Sequence, residues 1–205
     1  MKKIKEIILK KSLELFNKYG VTEVSIRQIS SEIGISHSNL IYHFKNKQDI
    51  ILSLHEQLLH SALELNNKSK SNDNFIDGLF ESTEKGFQIL HEYRFLMIEI
   101  NHIMRENEKL KQTFLEVEKI RAAMYKEAIQ KAISQGFMRE ELYDNEYDNF
   151  IEHIKIFSDF WISSSEIYDT GDHVAIIKKY SNLFVTLFCP YLTEEGSKKI
   201  AGSLL

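Results

Sequence analysis

A chain of 205 residues with 43% hydrophobic side chains is long enough to bury a core and too apolar for a disordered polymer. One cysteine, Cys189, excludes an internal disulfide and a cysteine-based zinc cluster, and no run of about 18 apolar residues is present to span a bilayer. The net charge of −4 is unevenly spread: residues 1–50 hold nine Lys/Arg against five acids, a net +4, and the rest hold 17 against 25, a net −8. A basic head on an acidic body suits a small polyanion-binding module carried by a unit that stays off the polyanion.

A single proline and eight glycines favour long helices with short connections. The first helix reads as 3–19, with Ile8, Ser12, Leu15, Phe16 and Tyr19 on one face and Gly20 as its stop. Ser25 with Gln28 three positions on is a capping pattern, and Ile26, Ile29 and Ile33 give a short second helix its buried stripe. Gly34 permits a left-handed turn, Ser36 caps a third short helix through about Phe44, and Asn46 with Asp49 starts a fourth running to about Asn66. The polar run 68–74 reads as a linker. Further helices are expected near 75–92, 94–105, 107–135, 146–168, 173–189 and 193–202. The expected fold is all-α. Cys189, in an apolar stretch, reads as a buried, unreactive thiol. The start Met1-Lys2-Lys3-Ile4 is followed by Lys5, Glu6, Lys10 and Lys11 rather than by an apolar run, so the expectation is a soluble, cytoplasmic protein without a secretory signal.

Residues 25–44 are the segment that carries chemistry. Ile26, Ile29, Ile33, Ile35, Leu40 and Phe44 supply the apolar set by which two short helices pack on the first, and Ser30 is small where they approach. The face left over on the second short helix offers His37, Ser38, Asn39, Tyr42 and His43, all able to hydrogen-bond base edges or phosphates. A short helix of this kind fits a major groove, and its N-terminus beside Ser36 presents N–H groups to phosphate. A helical hairpin with a merely solvated polar face satisfies the same residue types.

The run SIRQISSEIGISHSNLIYHFKNKQDI, residues 25–50, resembles the DNA-binding domain of the TetR family of bacterial regulators. The matching positions are Ser25, Ile29-Ser30, Gly34, Ser36, Leu40, Tyr42-His43-Phe44 and Asn46-Lys47, with Leu15-Phe16 and Gly20 upstream. The resemblance implies a three-helix helix-turn-helix head over 1–48 and a helical regulatory and dimerisation body over 49–205. It implies that Tyr42 and His43 touch bases or phosphates, that Lys47 binds a phosphate, and that Arg27 reaches DNA from the second helix. Two positions depart from the pattern: Ile41 where tyrosine is frequent, and Ser30 where alanine is usual. The serine costs little if its hydroxyl bonds back to a helix carbonyl.

Beyond residue 75 the physics is less specific. Helices 146–168 and 174–188 are apolar nearly all round, so each must be covered on most sides, either by its own core together with a partner or by a single well-covered core with no partner. Phe150, Ile154, Phe160, Ile177, Phe184 and Phe188 are the candidate dimer contacts, in agreement with the four-helix interface that the resemblance implies. Two reading helices about 34–36 Å apart would then read a palindromic site in double-stranded DNA. The resemblance also implies a pocket for a small-molecule effector, for which Phe87, Phe95, Met97, Met104, Met124, Tyr125, Phe157 and Trp161 are the candidate lining residues, as flexible or aromatic apolar groups, although plain structural core explains any one of them better.

His91, His102, His153 and His173 lack metal spacing, so no metal and no cofactor is expected. The leading function is a ligand-responsive DNA-binding regulator, a repressor by family habit, and not an enzyme. A helical protein–protein adaptor retaining the helix-turn-helix is the alternative, which charge reversal at Lys47 should separate. An enzyme using Glu99, His102 or Glu166 is the weakest reading, because no nucleophile, base and orienting group stand together.

Overall fold

The structure, a computed structural model, describes residues 2–69 and 75–204. Helices α1 (Lys2–Tyr19), α2 (Ile26–Glu32) and α3 (His37–His43) form the head, and α4 (Lys47–Ser69) leads out of it. The body follows as α5 (Phe75–Glu92), α6 (Arg94–Ile98), α7 (Ile100–Glu106), α8 (Glu108–Ser134), α9 (Glu146–Tyr168), α10 (His173–Thr186), a 3-10 turn at Cys189–Tyr191 and α11 (Glu194–Leu204). An N-terminal helix-turn-helix joined to a C-terminal helical domain is thus the observed all-α architecture. Of the expected linker, α4 continues through Ser69, and residues 70–74 lie outside the described residues.

Local chemistry accounts for the head. Ile8, Leu9, Ser12, Leu15 and Phe16 bury one face of α1 against Ile29 of α2, Leu40 of α3 and Ile50, Ile51 and Leu54 of α4. Tyr19, expected on that face, is instead exposed, with the Lys18 ammonium 4.8 Å from its ring centre. It lies where α1 is ending and no neighbouring helix covers it. At the α2–α3 turn the Ile35 N–H donates to the Ser30 carbonyl and the Gly34 N–H to the Ser31 carbonyl. This paired closure needs Gly34 at φ +70, and open space surrounds the site, so backbone conformation alone demands the glycine. The Ser30 hydroxyl donates to the Arg27 carbonyl at 2.9 Å, which satisfies it in its buried position. At the start of α4 the Asp49 N–H donates to Asn46 Oδ1, and the Lys45 N–H donates to Asp49 Oδ2.

The body closes around α9, whose Phe150, Ile151, Ile154, Trp161 and Ile162 are buried among α5, α6, α8 and α10. Its N-terminal end is held by Arg139, whose guanidinium donates to both Glu146 oxygens at 2.7 and 2.8 Å. Arg121 of α8 donates to Asp159 of α9 at 3.1 Å and to Glu118 one turn back. Helices α4 and α8 run side by side in the same direction. Asn107 at the head of α8 donates to Gln48, the His55 ring lies 6.5 Å from Phe114, and Asn66 donates to the Met124 sulfur.

Two expectations are corrected here. The helix expected over 94–105 is broken into α6 and α7 at Glu99, which closes one and opens the other. Cys189 is exposed rather than buried. It follows α10 in the 3-10 turn, where Pro190 ends the regular helix and turns the thiol out of the apolar run.

Buried His55 makes the fold acid-sensitive. Burial pushes its imidazole from 6.5 down to about 4, so between these values the unfolded chain binds the proton and the folded chain does not. Stability is therefore full above about pH 6.5 and falls as the pH drops towards 4, by on the order of 3 kcal/mol from this group. Half-buried His91, also held down to about 4, adds in the same direction. Urea midpoints at pH 7 and 4.5 are expected to differ markedly less in His55→Leu than in the wild type; equal differences would remove His55 as the cause.

Candidate nucleic-acid interface

Helix α3 is held by its apolar side and bare on the other. Leu40 is fully buried and Phe44 closes the C-terminal end, so the opposite face presents His37, Ser38, Asn39 and Tyr42 to solvent. Tyr42 is 71% exposed, an unusual position for a large ring unless something lies against it. His43 is half-buried, edge-on to Tyr42 with centroids 5.2 Å apart. Ile41, next to Tyr42, is half-buried, and the family's frequent tyrosine hydroxyl is missing there.

Ser36 and Ser25 both do cap work. The Asn39 N–H donates to Ser36 Oγ at 3.1 Å and the Gln28 N–H to Ser25 Oγ at 3.2 Å. The exposed Ser36 hydroxyl keeps its own proton to donate outward. Arg27 is exposed on α2. Seven residues make α3 about 10 Å long, which matches the width of a major groove.

Lys47 is arranged differently from the sequence expectation. Its side chain is half-buried at the start of α4, and the ammonium donates to the Val21 carbonyl at 2.5 Å and the Val24 carbonyl at 3.0 Å. Burial lowers its pKa, while Glu99 and Glu23 nearby pull the other way. Two of its three donors are thus spent on the α1–α2 turn, leaving one for a phosphate. Charge reversal at Lys47 would put a carboxylate against two carbonyls. It would unmake the head's own fold, so it does not separate a DNA reader from an adaptor.

The head is tied to the body through residues that the sequence did not single out for this role. The Asn17 side-chain amide donates to the Glu92 carbonyl at 2.7 Å, and its oxygen accepts the Phe95 N–H at 3.1 Å. Phe16 and Phe95 lie 5.2 Å apart by ring centres. The Glu99 carboxylate accepts the Val21 N–H at 2.6 Å and the Thr22 hydroxyl at 3.4 Å. No local periodicity announces contacts between positions nearly 80 residues apart.

The candidate pocket residues divide. Phe87, Phe157 and Trp161 form one aromatic cluster with Tyr180 and Phe184, in which Phe87 stacks on Trp161 at 4.8 Å. Met124 and Tyr125 are half-buried on α8, Met97 is buried on α6, and Met104 is half-buried on α7. Phe95 is buried in the same core, where its ring also meets Phe16 of the head. Trp161 Nε1 in that cluster, and His55 Nδ1 beside Phe114, are buried without a hydrogen-bond partner.

The candidate dimer residues are corrected in most cases. Phe150, Ile154, Ile177, Phe184 and Phe188 are buried within the protomer, and only Phe160 is exposed, at 44%. Apolar residues cover α9 and α10 on nearly every side, and periodicity alone does not say which stripe faces inward. The stripe left outside is Ile156, Phe160, Ile167, Val174 and Leu183.

The residues considered for catalysis are not gathered. Glu99 faces the α1–α2 turn, His102 is exposed, and Glu166 lines a separate cleft of about 90 Å³ with His91, Asp169 and His173. Among the described residues no three His, Cys, Asp or Glu side chains are placed to hold a metal ion. No helix among them is long and apolar enough to cross a membrane.

The chain is similar to known proteins over both parts. The family model described as bacterial regulatory proteins, tetR family, matches residues 8–54, and the TetR model described as bacterial transcriptional repressor matches 55–200. An uncharacterised HTH-type transcriptional regulator, YerO of Bacillus subtilis (strain 168), is 28% identical over 147 residues, 68% of this chain. That match spans 50% of the relative's length. In fold, the chain is similar to a TetR-family transcriptional regulator from Marinobacter aquaeolei VT8, with a TM-score of 0.88 at 22% identity over 98% of this chain and 96% of that one. It is also similar to a putative transcriptional regulator from Saccharomonospora viridis solved in complex with choline, with a TM-score of 0.78 at 17% identity over 95% and 100% of the two chains. The two models together take in nearly the whole chain, and the first of them falls on the head built above: this chain belongs to the tetR family of bacterial regulatory proteins.

Proposed function

We propose that the protein is a homodimeric repressor that reads a palindromic operator through α3 and releases it when a small molecule enters the body. The observation that carries the reading is the bare polar face of α3, with His37, Ser38, Asn39 and Tyr42 turned to solvent on a helix anchored by Leu40. The head is taken as residues 1–48 and the body as 49–205. Arg27, Ser36, His43 and the remaining donor of Lys47 flank that face and supply phosphate contacts, which fix register while the bases fix sequence.

Dimerisation is supported by the outward apolar stripe Ile156, Phe160, Ile167, Val174 and Leu183, which a solitary protomer leaves in water. Effector response is supported by the buried, unpartnered Trp161 indole nitrogen in an aromatic cluster. A buried polar atom without a partner costs about 1–3 kcal/mol, and a ligand's polar atoms would offset that. That the choline-bound relative shares this fold is consistent with a small-molecule role for the body. Effector and DNA then oppose each other by the same factor, because each favours a different separation of the two heads.

Selection of purified protein on random double-stranded DNA tests the reading. An enriched inverted repeat is the expected result, and no enrichment at low or near-physiological salt would overturn it. On the selected site, Asn39→Ala is expected to lose about 1–3 kcal/mol and to relax the preference at one base pair of each half-site. A uniform loss over all sequences in the same binding assay would move Asn39 from base to phosphate.

A further inference from the structure

Val21 is gripped from two sides by different parts of the molecule. Its N–H donates to Glu99 Oε1 at 2.6 Å, and its carbonyl accepts the Lys47 ammonium at 2.5 Å. Lys47 opens the helix that leaves the head, whereas Glu99 stands in the body at the break between α6 and α7. The same carboxylate takes the Thr22 hydroxyl. It also lies so close to Gly20 that a Cβ there would sit 2.9 Å from Oε1, at a residue whose φ of +82 already favours glycine. The α1–α2 turn therefore seats directly on one side chain of the body.

Glu99 is itself firmly placed. Its N–H donates to the Phe95 carbonyl and its carbonyl accepts the Ile103 N–H, so two short helices fix its backbone. Helix α6 rests on α9 and α7 on α8, the helices that carry Trp161 and Met124. A displacement of that interior reaches Glu99 through a single helix. The other ties between head and body act at the end of α1, through Asn17 and Phe16, and at the start of α4, through Gln48 and Asn107. Among these ties, Glu99 holds the turn whose carbonyls also accept the Lys47 ammonium.

We infer that Glu99 is a positioning residue for DNA reading, fixing the angle of the head on the body through the Val21–Thr22 turn. This rests on the proposed dimeric reading of an inverted repeat. A charge-assisted bond of this kind is among the stronger hydrogen bonds in a protein. Its loss leaves α3 intact, since none of the head's internal contacts to Leu40 or Phe44 involve it. What changes is the freedom of each head to tilt, and with it the strictness with which the dimer selects the spacing of two half-sites.

The experiment compares wild type, Glu99→Ala and Glu99→Gln as full-length protein on the selected inverted repeat and on versions with the spacer one or two base pairs longer or shorter. Wild type is expected to prefer one spacing. In Glu99→Ala the preference should shrink by about five-fold or more, while Glu99→Gln, which retains an acceptor for the Val21 N–H, should restore most of it. Lower stability alone would reduce the active fraction and scale all spacings together, leaving their ratios unchanged. Hydrogen exchange at the Val21 amide, read without DNA, should accelerate in Glu99→Ala and stay slow in Glu99→Gln. An unaltered spacing profile in Glu99→Ala, or unaltered Val21 exchange, overturns the role of Glu99 and leaves the proposed function standing. A wild type that binds no inverted repeat withdraws the proposed function itself.

Discussion

Phe160→Glu is expected to split the dimer and to weaken binding to the inverted repeat by about 100-fold or more, close to 3 kcal/mol. The ring is 44% exposed in the protomer, so a glutamate there reaches water and the protomer folds as before. In a two-fold interface the substitution acts twice, because each copy brings the same patch. It removes apolar burial worth about 1.5–3 kcal/mol per ring and places two carboxylates where the proposed interface would cover the exposed Ile156, Ile167, Val174 and Leu183. Size-exclusion chromatography with light scattering at micromolar concentration should move from twice the chain mass to 24.1 kDa. A variant that stays dimeric and binds DNA normally would place the interface elsewhere.

Trp161→Ala should cost about 3–5 kcal/mol of folding stability, the range for emptying a large ring from a filled core. Trp161 is among the largest fully buried side chains, stacked on Phe87 and 5.4 Å from Tyr180 by ring centres. For a chain of this size the loss corresponds to a melting temperature lower by about 10 °C. Trp161→Phe should keep most of the stacking and delete the unpartnered N–H, leaving stability within about 1.5 kcal/mol of wild type. Urea titration followed by helical circular dichroism checks both, since the variants lack the chain's one tryptophan. An Ala variant as stable as wild type would show that the cluster around Phe87 does not hold the body together. If the indole N–H serves the effector, the Phe variant stays folded yet becomes less responsive to it.

Much of the head could be read from the sequence because its information is local. Ser25, Gly34, Ser36 and Asn46 each specify backbone geometry within three or four residues, and each does so in the structure. The body was legible as helices, and α9 falls at 146–168 as periodicity predicts. Which face of α9 and α10 turns inward was not legible, because Ile154 and Ile156 are equally apolar and only the neighbouring helices decide between them. The break at Glu99 also escaped, since neither glycine nor proline marks it. The contacts that Lys47 makes with the Val21 and Val24 carbonyls and Phe95 with Phe16 were not legible either, because each joins residues far apart in the chain.

The parallel run of α4 and α8 has a mechanical meaning. Gln48 pairs with Asn107, His55 with Phe114 and Asn66 with Met124, an offset of 58 or 59 residues each time, so the two rods keep step along their length. From Asn66 to Gln48 the rod is about 27 Å long. Pivoted at its far end, it sweeps the near end through about half an ångström for each degree of tilt. Six degrees therefore carry a head through about 3 Å, nearly the rise of one base pair. On that lever arm, the angular play that the three pairs permit is the tolerance within which an operator must be cut to length.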